Sequence, residues 1–336
     1  MKIKRATGCL FGAALGDALG AATEFLDMDG IRRRFPPNGP TEPKGNPARV
    51  TDDTQMMLCV GEALALASRP FSAENLEALL RKAFVDWWYS PENDRAPGMT
   101  CRRACLKLAS GLPWRESTVL ESKGCGANMR VAPVGLLPLG QDDLTEETRG
   151  AIAQFQAALT HAHPTALAAT DLTSAAIADL AAGGDPLGLP RRLRAYARKE
   201  RSHYHGDWLG DLWQRPYTNS PEEFIARGWD ECLSTLDRLE EALANPNPEA
   251  DPCLATGEGW VAEEALATGL LCFLLYPDDG ITALRRAAAT SGDSDSIACL
   301  TGSFAGAYLG IDAWPLDWRS RIEYGDRLAA LGEKWD

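Results

Sequence analysis

No stretch of the 336 residues is long and uncharged enough to cross a membrane. The start, Met1 to Arg5, is basic, but the apolar run behind it carries Asp17 and ends without a cleavage pattern, so no processed leader is expected. Positive charge is scarce: 34 Lys and Arg face 47 Asp and Glu, a formal net charge of -13. A general nucleic-acid binder needs a basic surface, so that class is excluded. An anionic ligand must be held locally, by metal, backbone amides or single arginines. Histidine is rarer still, with four in two pairs, His161/His163 and His203/His205. The nine cysteines are odd in number and scattered, which fits reduced thiols of a cytoplasmic protein better than a disulfide framework. Cys101 and Cys105 lie four apart with no second pair nearby, a core pattern rather than a zinc one. Strand-like alternation is absent throughout. With 45% apolar residues, the expectation is one compact all-α domain over 1–336, monomeric, with long inserted loops.

What is present is carboxylate in two short polar breaks. Thr51-Asp52-Asp53-Thr54 precedes an apolar helical run through Met57, Leu58, Val60 and Leu64, so the acidic pair sits at a helix start. Ser291-Gly292-Asp293-Ser294-Asp295-Ser296 precedes a second run that contains Gly302, Gly306 and Gly310. Capping accounts for one aspartate of the first pair and leaves the other over. Four carboxylates with hydroxyls make a ligand set for a hard cation and a poor one for zinc or iron. If the two breaks converge, Thr51, Asp52, Asp53, Asp293, Asp295 and Ser296 can hold two magnesium ions. Without cations such carboxylates raise one another's pKa.

The opening run, Gly8 to Gly20, repeats small residues at helical spacing through Gly12 and Gly16, which predicts a central, closely packed helix. Asp17 inside it needs a partner: a cation, a helix end, or metal ligands that it supports. Asp27 to Arg49 is rich in proline, glycine and arginine and reads as a long mobile loop with Glu24 at its entrance. Lys123 to Pro138 frees the backbone at Gly124 and Gly126, so its amides suit a phosphate, and an apolar helix is expected from about Asn128. Cys125 has no local histidine or acid to activate it. One or two alanine-rich helices are expected across 145–182, interrupted at Thr160-His161-Ala162-His163-Pro164, with His161 a candidate substrate contact and a four-histidine metal site disfavoured. Residues 185–220 form the least regular insert, and a last helix starts near Ile322.

In order, GCLFGAALGDALGAATEF, TDDTQMML, KGCGANMRVAPVG, LTHAHP and SGDSDSIACLTGSFAGAYLG resemble the ADP-ribosylglycohydrolase family over nearly the whole chain. The resemblance implies an all-α fold around a binuclear centre, magnesium or in places manganese. By motif match the ligands are Thr51, Asp52, Asp53, Asp293, Asp295 and Ser296. It implies a phosphate-binding turn at Gly124, Cys125, Gly126 and Ala127, with Asn128 and Met129 as further substrate-binding residues. Catalytic carboxylates are implied at Glu24, Asp53 and Asp293. The implied reaction is hydrolysis of the C1″ bond between ADP-ribose and an acceptor, on an ADP-ribosylated protein or a small ADP-ribose conjugate. Two positions depart from the family pattern. Serines replace the usual threonines of the late motif, and hydroxyl ligation survives. Ala96 stands where some members carry an aspartate that suits an arginine guanidinium. An all-α metal-dependent phosphohydrolase is the rival enzyme class, although no histidine adjoins either acidic break. A non-catalytic ADP-ribose-binding module is the rival without chemistry.

Overall fold

The computed structural model describes residues 3–95, 97–140 and 144–336; Ala96 lies outside the described residues. The main helices, in chain order, are α1 (Arg5–Gly20), α2 (Met28–Arg34), α3 (Asp52–Leu66), α4 (Ala73–Tyr89), α5 (Met99–Ala109), α6 (Glu146–Ala158), α7 (Pro164–Ala181), α8 (Leu189–Glu200), α9 (Pro221–Ala244), α10 (Ala262–Leu275), α11 (Gly280–Ala287), α12 (Ser294–Leu309), α13 (Leu316–Arg321) and α14 (Gly325–Gly332). Among the described residues β-pairing is limited to isolated bridges, so the all-α expectation holds. No helix among them is long and apolar enough to cross a membrane. All nine cysteines are free thiols, and Cys101 and Cys105 are buried in the core.

The most extensive pairing joins α1 to α12, the first and last long helices. They run antiparallel: Gly8 faces Gly306 and Gly310, Gly12 faces Gly302, Gly16 faces Ala298, and Gly20 faces Ser294. A Cβ added at Gly12 or Gly302 would fall on the other's carbonyl oxygen. The recurrent glycines therefore serve backbone contact between two helices, which ordinary side chains would hold apart. Thr23 and Ser294 lock the end of the pair: the Thr23 hydroxyl lies 2.6 Å from the Ala288 carbonyl, and the Ser294 hydroxyl donates to the Gly20 carbonyl at 3.0 Å. α7 is buried along most of its length and packs against α6, α9, α10 and α12.

Four local expectations need correction. Asp27 to Arg49 contains α2, capped by the Asp27 side chain, and the stretch is tied down by the Arg285 guanidinium on Thr41 O (2.9 Å) and by Ala48 N on Arg321 O (2.7 Å). The helix expected from Asn128 is replaced by a 3-10 turn, Cys125–Ala127, and a single turn, Ala132–Gly135. Pro133 has no N–H to extend a helix, and Gly135 is pressed against Ile177. Within the supposedly irregular 185–220, α8 forms because Leu189, Leu193 and Ala197 make a buried stripe that its charged residues disguise in sequence. The last helix, expected from about Ile322, starts only at Gly325 as α14, because Tyr324 before it is left-handed (φ 59°), and a separate short helix, α13, ends at Arg321.

A Gly302→Val substitution is expected to lower stability by about 3 kcal/mol or more, because neither backbone can retreat. Gly206→Ala, whose Cβ meets no atom within 4 Å, should stay within about 0.5 kcal/mol. Chemical denaturation of both variants checks the contrast.

Candidate active site

The antiparallel pair brings the end of α1 against the start of α12, and α3 begins beside both. Asp17, fully buried on α1, meets no cation. Its carboxylate accepts from Thr51 N (2.9 and 3.0 Å), Thr54 N (3.1 Å) and the Thr54 hydroxyl (2.5 Å). It thereby satisfies orphan amides at the start of α3, while Thr51 Oγ1 accepts from Asp53 N at 3.3 Å. This aims Asp52 and Asp53 from the first turn of α3. At α12, Asp293 is the N-cap residue and its N–H donates to the Glu258 carbonyl at 2.7 Å. Gly292 alone permits that approach, since a Cβ there would overlap the same carbonyl. Glu24 follows α1 on a turn closed by its N–H on Gly20 O at 3.1 Å.

A cleft of ≈ 480 Å³ opens over these residues. Of the positions singled out in the sequence, Glu24, Asp52, Asp53, Asp293, Asp295, Ser296, Gly124, Cys125, Gly126, Met129 and His161 line it. Thr51 is engaged as the cap of α3. Ala127 and Asn128 are buried off the lining, and Asn128 donates to the Ala262 carbonyl at 2.9 Å. The cleft also has walls that sequence patterns left unmarked: Phe25, Pro97 to Arg102, and Trp260. Phe25 and Trp260 stack with centroids 5.7 Å apart and planes 18° apart. Phe25 holds a left-handed backbone (φ 64°), which an aromatic residue rarely adopts.

The carboxylates are poised against one another. Burial, then Asp295, raises Asp17 and Asp52 to about 7. Burial, then Asp295 and Asp52, raises Glu24 to about 9. Asp53 and Asp293 are pushed well above the usual carboxylate range by burial and then by Asp295. None of the leading influences on these five groups is a cation. Ligand oxygens of Glu24, Asp293 and Asp295 lie within 4.8 Å of one another, and Asp53 Oδ2 is buried without a hydrogen-bond partner. An all-oxygen set this dense fits a hard divalent cation, whose charge removes the repulsion.

Opposite the carboxylates sits the glycine turn. Cys125 N donates to Trp260 O (3.1 Å) and Ala262 N to Lys123 O (2.9 Å). The Lys123 ammonium, 2.6 Å from Glu231 and 2.5 Å from Glu263, ties the turn to α9 and α10. Burial beside Asp293 and Asp53 keeps the Cys125 thiol protonated, which disqualifies it as a nucleophile. A Cβ at Gly126 would press on Cys101 Sγ and the His161 ring. His161 is buried, and burial together with the Arg130 charge holds its pKa well below normal, so the ring is neutral. Arg130 donates to Thr160 Oγ1 at 2.9 Å, and that hydroxyl is 2.8 Å from His161 Nδ1. We assign the Thr160 proton to Nδ1, which leaves Nε2–H as a donor beside Gly124 and Gly126.

A family model described as ADP-ribosylglycohydrolase matches residues 1–335. ADP-ribosylhydrolase ARH3 of Gallus gallus is 29% identical over 95% of this chain and 89% of its own. ADP-ribosyl-[dinitrogen reductase] glycohydrolase of Rhodospirillum rubrum is 27% identical over 95% and 90%. A solved structure titled "ADP-ribosylglycohydrolase-related protein complex" superposes with a TM-score of 0.65 at 22% identity, covering 99% of this chain and 96% of that one.

The raised carboxylates give a pH signature in cation-free protein. Their ordinary values are 3.8 and 4.5 and their folded values are higher, so the folded state binds the extra protons. Their contribution to stability is complete below about pH 4 and is lost as the pH rises through about 7 to 9. With chelator, the melting temperature should fall between about pH 5 and pH 9, and saturating magnesium should restore it most at the upper end. Thermal melts across that range, with and without magnesium, provide the check.

Proposed function

This chain belongs to the ADP-ribosylglycohydrolase family, and from that membership we propose that it is a metal-dependent hydrolase releasing ADP-ribose from an ADP-ribosylated protein or small conjugate. The observation that carries the proposal is the convergence of Glu24, Asp52, Asp53, Asp293 and Asp295 from both ends of the chain into one cleft. The cleft's volume suits a ligand of nucleotide size. The nine free thiols favour a reducing, cytoplasmic setting.

Held by Asp52, Asp53, Asp293 and Asp295 with the hydroxyls of Thr51 and Ser296, two magnesium ions, or manganese in their place, would supply Lewis acidity to the distal ribose hydroxyls. The chain's own groups do the rest. Glu24, half-buried at the cleft edge, holds the attacking water. The water's oxygen joins C1″ as the bond to the acceptor breaks through an oxocarbenium-like transition state, and its proton passes by Glu24 or Asp293 to the departing acceptor. His161 donates from Nε2 without changing its charge, which suits orientation rather than proton transfer. Gly124 and Gly126 let a diphosphate approach the backbone, while the Cys125 amide is already committed to Trp260 O. Phe25 and Trp260 offer a flat apolar rim for a base or acceptor group.

Release of ADP-ribose from arginine, serine, nucleobase and O-acetyl linkages, with magnesium, manganese or chelator, tests the proposal. Metal-dependent turnover of one linkage is expected, with Asp295→Asn and Glu24→Gln each lowering kcat at least about 100-fold. Retained turnover in Asp295→Asn would remove the site assignment. Binding of ADP-ribose with no turnover of any linkage would make the protein a binding module. Separately, Trp260→Ala should weaken substrate binding roughly 5- to 100-fold, the range of a lost aromatic stack. Its melting temperature should be nearly unchanged, because the ring is 40% exposed.

A further inference from the structure

The second histidine pair lies apart from the carboxylate cleft. His203 and His205 follow α8 and meet Glu147 in the first turn of α6, and none of the three lines the cleft described above. One ligand atom of each lies within 4.8 Å of the other two. They border a separate cavity of ≈ 240 Å³, together with Thr148, Gly206 and Trp208. We propose that Glu147, His203 and His205 form an independent site for a borderline divalent cation of the zinc class.

The contacts of the two rings differ, and the difference carries the assignment. His203 Nδ1 is 2.9 Å from Glu200 Oε2, and its Nε2 is 3.5 Å from Glu147 Oε1. Glu200 is buried and accepts the Nδ1 proton, which leaves the Nε2 lone pair facing Glu147. A histidine backed in this way by a carboxylate is held in one tautomer and orientation as a metal ligand. His205 is only 6% exposed, its ring centroid 4.5 Å from that of His203. Its Nε2 is buried and has no hydrogen-bond partner. A protonated His203 between two glutamates would account for His203 alone. It would leave the His205 nitrogen unsatisfied, a condition that buried polar atoms seldom tolerate. A cation shared by both rings satisfies it.

Two imidazoles and one carboxylate suit zinc and related late first-row ions, and they contrast with the all-oxygen set of the main cleft. Bonds of about 2.0 Å in a tetrahedron place ligand atoms about 3.3 Å apart. Glu147 is exposed, so its side chain is free to close the remaining distance. Such a cation would pin the insert to α6. Further along the same insert, Arg215 donates to the carbonyls of Leu120 (2.8 Å) and Ala162 (2.7 Å), the latter next to His161. The cation would thus brace the wall that carries His161.

Zinc titration of the chelator-stripped full chain by calorimetry, in excess magnesium, tests the assignment. One equivalent of zinc is expected, with a rise in melting temperature, and cobalt(II) should give the intense visible bands of a tetrahedral ion. His203→Ala and His205→Ala should each weaken zinc at least about tenfold, and Glu200→Gln about tenfold or more through loss of its support. Magnesium-dependent ADP-ribose binding should persist in all three. The assignment falls if no zinc binds under magnesium excess, if the His203→Ala/His205→Ala double variant keeps its zinc, or if Asp295→Asn removes zinc instead. Should the histidine variants fail to fold, Glu147→Gln decides, since that side chain is exposed; unchanged zinc affinity there overturns the assignment.

Discussion

Backbone contact between α1 and α12 is the constraint on which the site depends. Two helices separated by ordinary side chains lie about 8–10 Å apart; here Gly12 and Gly302 leave no room for one methyl group. That closeness puts Asp17 near Asp295 and lets Ser294 and Thr23 fasten the junction. It also places the start of α12 where α3 begins, with Asp17 reaching across to the amides of α3. Asp52 and Asp53 then stand in the first turn of α3, and Asp293 and Asp295 at the N-cap and first turn of α12, where the positive end of the helix dipole favours anions. The carboxylates are concentrated by the packing, and the packing is possible because the residues between them are so small.

The opposite wall has the complementary electrostatics. Arg130 is fully buried, lies 4.5 Å from the Phe84 ring centroid, and donates to Gln156 and Thr160 rather than to a carboxylate. Burial, helped by the Arg130 charge, keeps His161 neutral, and Arg130 orients the ring through Thr160. The glycine turn is likewise held from outside, by Lys123 between Glu231 and Glu263. A ligand spanning the cleft would meet anionic groups on one side and neutral donors on the other.

Much of this was legible in the chain wherever the signal was local. The start of α3 announces itself through Thr51 and the two aspartates, and α4 through its Ser72–Asn75 capping box, because caps act over three residues. The glycine spacing of α1 marks close packing, and the order of motifs marks the family. Other features were illegible for equally physical reasons. The partner of Asp17 is a set of backbone amides 34 to 37 residues away, and amides carry no residue identity. The Phe25–Trp260 stack joins residues from opposite ends of the chain, with no pattern in either. α8 hides its apolar stripe among arginines, and Pro133 turns an apolar run into a folded loop.

The cleft also divides into parts with different tolerance for change. Its floor is made of aspartates aimed by other helices and rests on the glycine contacts of α1 with α12, where a larger side chain at Gly12, Gly16 or Gly302 would displace a helix. Its rim is built from Phe25, Met99, Arg102 and Trp260, all exposed, with space beyond their ends. Sequence variation among relatives, or a designer's library, can therefore run freely at the mouth while the floor stays frozen. The mouth is thereby the evolvable part of the cleft, and the floor the part that the fold itself holds constant.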